Sequence, residues 1–153
     1  MMTPILFVMI TLSIIFDFLN GIHDSSNIVA TMIASRAFSP RVALGIPAVA
    51  HFVAPFIFGV AVAKPIGHEV VAAEAITINV LIAALASAII WNLLTWFLGI
   101  PSSSSHALIG GMIGAVGIGA GLNAIELQGL EKILIALFIS PIIGLILGYF
   151  FTR

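Results

Sequence analysis

The sequence predicts an all-α integral membrane protein, and three observations carry that prediction. Mean hydropathy is +1.29 and only 7% of the residues are charged, where soluble domains carry charge on about a quarter of theirs. The apolar residues gather into five blocks, each near the roughly 20 residues needed to cross a bilayer. Polar residues are confined to short breaks between blocks, where backbone freed from a helix is tolerated only if protein or water satisfies it.

The blocks run in order. Thr3–Leu19 lacks a basic leading segment and a small-residue cleavage site, so it reads as a first span rather than a removable signal. It continues into Asn20-Gly21-Ile22-His23-Asp24-Ser25-Ser26-Asn27. A helix unbroken from Thr3 to Ser35 would be about 50 Å long against a hydrocarbon core of about 30 Å. A broken first helix, or a strong tilt, is therefore expected near Gly21. Phe38–Ala63, Ala75–Leu98, Ser102–Leu122 and Ile133–Phe151 follow. Only Gly99–Pro101 separates the third and fourth blocks, which form either two spans or a re-entrant hairpin with Pro101–His106 at its tip. No linker divides the chain, so residues 1–153 read as a single transmembrane domain.

Charge orients it. With Thr3 outside and the third and fourth blocks returning to the side they leave, Arg36, Arg41 and Arg153 are cytoplasmic and Lys64 and Lys132 outside. That bias favours an outside N-terminus and a cytoplasmic C-terminus in the cell membrane. The absence of cysteine removes disulfides and thiolate metal sites. A net charge of -1 with no basic face leaves nothing to bind nucleic acid.

Two polar constellations remain. Pro101-Ser102-Ser103-Ser104-Ser105-His106 places four hydroxyls between two apolar blocks. Proline before serines is a helix start, with Ser102 or Ser103 as N-cap. The free amides, the positive end of the helix dipole and the hydroxyls together make an anion site of neutral donors. Hydroxyls also serve as contacts between membrane helices, and His106 suits either a donor role or an interface. Asn92 and Thr95 precede the turn and are secondary candidates, for the turn or for a cation. The other constellation is Asp17, Asn20, Asp24, Asn27 and Thr31, spaced three, four, three and four apart and so on one helical face. A carboxylate inside a membrane segment costs about 2.5–3.5 kcal/mol and marks a functional site by default. Gly110, Gly114, Gly117 and Gly121 permit close helix packing.

Gly21-Ile22-His23-Asp24-Ser25-Ser26-Asn27 with Thr31 resembles one signature of the PiT inorganic phosphate transporters. The run from Trp91 through Pro101–His106 to Gly110-Gly111 resembles their second. His23 departs from the asparagine usual there. The resemblance implies a symporter of inorganic phosphate driven by sodium or protons, with no other cofactor. It implies phosphate on Ser103, Ser104 and Ser105, completed by Asp24 and Asn27, with a sodium ion at Asp24 and Asn27. Ser102, His106, Asn92, Thr95 and Thr31 are secondary candidates. Asp24 would bridge to phosphate through the coupling ion, and would accept a hydrogen bond from protonated phosphate that sulfate cannot offer. The family carries each signature twice in inverted repeats, whereas this sequence carries each once, as in the N-terminal half. It therefore implies a half-transporter in membrane lipid, completed by a second copy or a separate second half. The rival readings are a passive anion channel, a non-transporting fragment or assembly partner, and an intramembrane serine peptidase, which would need a serine and a histidine base on facing helices.

Overall fold

The computed structural model describes residues 3–59 and 70–151. The end of the second apolar block and Lys64, Glu69 and Arg153 lie outside the described residues. Among the described residues five α-helices follow one another: α1 (Pro4–Ala34), α2 (Pro40–Phe58), α3 (Ile78–Leu98), α4 (Ser104–Gly119) and α5 (Leu127–Phe151). Single 3₁₀ turns at Ala73–Ala75 and Leu122–Ala124 precede α3 and follow α4. Four of the helices, all but α4, are long and apolar enough to cross a membrane. The five helices match the five blocks, and the chain is an all-α, multi-pass membrane protein.

The first helix corrects the sequence reading, because α1 passes through Gly21 without a break. Glycine in a helix costs only about 1 kcal/mol, too little to end one by itself. The polar residues of this stretch also bond to their own helix instead of competing with it. Ser25 Oγ donates to the Ile22 carbonyl at 3.0 Å and Ser26 Oγ to that of His23 at 2.7 Å. At 31 residues the helix is about 46 Å long, so it tilts or projects beyond a core of about 30 Å. It ends at Ser35, and Arg36 turns the chain towards α2 in the left-handed region, at φ 58°.

Helices α3 and α4 form the centre of the fold. Thr77 caps α3, its Oγ1 accepting from the Val80 amide at 3.3 Å. Gly99, left-handed at φ +66°, ends α3 and lets Ile100 donate back to the Thr95 carbonyl at 2.9 Å. The chain then folds back and α4 descends antiparallel to α3. Val70, Val71, Val80, Ala84, Met112 and Val116 pack the joint. At the open end, Val71 and Ile125 form an antiparallel bridge, with Ala72 donating to Ala124 at 2.9 Å and Glu126 to Val70 at 2.8 Å. The hairpin is thus covalently closed at its tip and hydrogen-bonded shut at its base.

Helix α1 lies along α3 and, less extensively, α2. Helix α5 buries only Gly129 and presents side chains such as Phe138 and Leu145 outward. In lipid this is no defect, since acyl chains solvate leucine as well as protein does. Association there depends on close packing and polar contacts.

Candidate functional site

Local rules build the tip. Ser103 is the N-cap of α4, extended at φ -106° and ψ 119°, and its Oγ accepts from the His106 amide at 3.4 Å. Among the described residues no backbone carbonyl accepts from the amides of Ser104 or Ser105. Those donors, at the positive end of a helix of 16 residues, are the requirement for holding an anion. Ser102 is tied down separately: Trp91 Nε1 donates to its Oγ at 2.9 Å. That bond ties the turn to α3 at Trp91, about two helical turns before α3 ends at Leu98.

Beside the tip opens a cleft of about 240 Å³, lined from α1 by His23, Ser26 and Asn27, from α3 by Thr95 and Trp96, and from the turn by Gly99 to Ser102. At about 30 Å³ per water it is large enough for a small oxyanion with part of its hydration shell. No arginine or lysine lines it, so its donors are neutral. One wall is His23, which the sequence reading gave no role. It is buried, with Nδ1 3.4 Å from the Leu19 carbonyl and Nε2 3.5 Å from Thr95 Oγ1. Thr95 Oγ1 also lies 2.9 Å from the Trp91 carbonyl, to which it donates. The signal for His23 was its spacing: four residues before Asn27 on a helix is the same face.

A second cleft, about 450 Å³, opens between α1 and α2, lined by Asp17, Asn20, Gly21, Asp24 and Ser25 opposite Leu44, Pro47, Ala48 and His51. His51 Nδ1 donates to the Pro47 carbonyl at 2.9 Å, which leaves Nε2 as the other ring nitrogen. The single polar face expected on α1 is therefore divided. Asp17, Asn20 and Asp24 face α2, Asn27 faces the serine turn, and Thr31 is exposed and lines neither cleft. A three-four spacing averages 3.5 residues against 3.6 per turn and drifts by about 20° per heptad. From Asp17 to Asn27 that drift is only about 30°, so the division follows mainly from which neighbour abuts each turn of α1: α2 beside Asp17 to Asp24, the serine turn beside Asn27.

The remaining candidates separate as well. Ser104, 1% exposed, lies inside the α3–α4 joint. Ser105 is exposed and lines none of the clefts described. His106 lines a groove on the outer face of the hairpin with Ser87, Trp91 and Gly110. Asn92 is fully buried on α3 and Thr95 nearly so. Among the described residues no three of His, Asp and Glu come together as a metal site.

The profile of the Phosphate transporter family matches residues 20–153. A probable low-affinity inorganic phosphate transporter of Rhizobium meliloti is 44% identical over 145 residues, covering 95% of this chain and 43% of that protein. Proteins of the same description from Mycobacterium tuberculosis and Bacillus subtilis are 41% and 46% identical, over 94% and 88% of this chain. The chain spans 34% and 40% of those two relatives' lengths. No solved structure matches it. Both signatures, the helical membrane fold and these relatives agree, and the chain belongs to the phosphate transporter family.

Proposed function

We propose that this chain is one half of an inorganic phosphate transporter that moves phosphate across the cell membrane by symport with sodium or protons. One observation carries the reading: Asn27 on α1 and Ser102 of the turn that leads into α4 line a single cleft that contains no arginine or lysine. A transported anion must leave as readily as it enters, and neutral donors suit that requirement. The relatives named as inorganic phosphate transporters supply the identity of the anion.

The coupling ion belongs to Asp24. Its carboxylate lines the α1–α2 cleft with Asp17 and Asn20, three residues and so about 4.5 Å along the helix axis from Asn27. A sodium ion or proton there lowers the repulsion between Asp24 and the incoming anion, so each binding event favours the other. The second half, a further copy or a separate chain, completes the pathway. The N-terminus lies outside, and the cytoplasmic side carries Arg36 and Arg41.

Uptake of radiolabelled phosphate into proteoliposomes of the chain, alone and with its complement, tests this under sodium and pH gradients. Gradient-driven uptake that Asp24→Asn uncouples supports the proposal. Flux indifferent to either gradient favours an anion channel, and no flux in any combination makes the chain an assembly partner. A peptidase reading is disfavoured because Ser103 Oγ meets the backbone amide of His106 and donates to no imidazole among the described residues.

A further inference from the structure

Three buried polar atoms have no hydrogen-bond partner among the described residues: Asn92 Oδ1, Asn92 Nδ2 and Ser104 Oγ. They belong to one place. Cross-helix contacts pair Gly119 with Val80, Gly111 with Ala84 and Ser87, and Ser102 with Trp91, climbing α3 as they descend α4. That register brings Ser104 against the turn of α3 that carries Asn92. Ser104 is also the first residue of α4, so its hydroxyl lies beside the unpaired amides.

A buried polar group without a partner is a standing cost, and burial without partners at a ligand-binding end of a helix points to a ligand. The kind of atom selects which ligand. A cation would use Asn92 Oδ1 and Ser104 Oγ but leave the Asn92 NH₂ group unpaired. A fully deprotonated oxyanion would use the two donors and be repelled by Oδ1. A protonated tetrahedral oxyanion uses all three, accepting from Nδ2 and Oγ and donating its own hydroxyl to Oδ1. The acceptor first assigned to this task, Asp24, faces the other cleft.

We infer that Asn92 is the residue that selects phosphate over sulfate, by accepting the P–OH hydrogen bond that sulfate lacks at neutral pH. This rests on the phosphate reading above. Thr95, one turn further along α3, lines the tip cleft, so Asn92 lies immediately behind its wall. Access requires the serine turn to part from α3, and the exposed Trp91–Ser102 bond is the contact that holds it there.

The test is binding of labelled inorganic phosphate to the purified chain, with competition by unlabelled phosphate and by sulfate at constant ionic strength. Asn92→Ala removes the acceptor and lowers the phosphate-to-sulfate affinity ratio by about tenfold or more. Asn92→Asp is nearly isosteric and keeps an acceptor. It weakens both anions and leaves the ratio equal or higher. A ratio unchanged in folded Asn92→Ala overturns the inference. If that variant does not fold, a lowered ratio in Asn92→Asp does so, and an equal or raised one supports it. A wild-type chain that binds neither anion overturns the phosphate reading together with this one, whereas normal phosphate binding with an indifferent ratio overturns this one alone.

Discussion

Gly111 and Ala84 stand so close that a β-carbon on Gly111 would lie 2.8 Å from the Ala84 carbonyl oxygen and collide with Ser87 Oγ. The first obstacle is backbone and cannot swing aside. Gly111→Ala therefore forces the hairpin helices apart, at a cost of about 1–3 kcal/mol. Thermal unfolding of the purified variant checks this. Gly110→Ala is the control, since nothing lies within 4 Å of its β-carbon position, and it leaves the melting temperature nearly unchanged.

Ser103 separates stability from anion binding. Ser103→Ala removes the cap on the His106 amide and costs about 1 kcal/mol. Ser103→Asp keeps a capping oxygen beside a helix N-terminus and holds or raises stability. It also sets a negative charge beside the proposed anion site. Unfolding midpoints near wild type with phosphate binding lost are the expected pair of results for the aspartate variant.

Trp91→Phe keeps most of the ring but deletes the donor to Ser102. An exposed bond of this kind contributes about 1 kcal/mol. Hydrogen exchange at the His106 and Ala107 amides, which donate to Ser103, accelerates by several-fold, while exchange at the Val71–Ile125 bridge stays as in the wild type. Uniform acceleration across the hairpin would contradict a local role.

Replacing Asn92 with leucine exchanges an unpaired buried carboxamide for an apolar side chain of similar size. Removing such a group is neutral or stabilising by about 1–3 kcal/mol. A melting temperature equal to or above wild type, with phosphate uptake lost, would identify Asn92 as a residue retained for function at the expense of stability. A marked fall in melting temperature would show that its polar atoms have partners after all.

Much of this architecture was legible in the sequence, because helix starts and stops follow short-range chemistry. Ser103 caps α4, Gly99 ends α3, and Pro4 and Pro40 open α1 and α2. Two features were not legible. The polar stretch after Leu19 looked like a break, yet its side chains bond to carbonyls one turn earlier, and nothing in a residue list reveals that choice. That Asp24 and Asn27 line different clefts was hidden for a different reason. Spacing fixes which residues share a helix face, but only packing decides which neighbour that face meets, and here two neighbours divide it. His23 and Ser104 show the same limit: their burial comes from α1 and α4 closing on α3, not from their own segments.

The bridge between Val71 and Ile125 gives the hairpin a fulcrum. With its base pinned there and a lever about 31 Å long in α3, a rotation of about 2° moves the tip by about 1 Å. A shift of that size is enough to break a hydrogen bond, so the Trp91–Ser102 contact can open while the packed valines at the base hardly move.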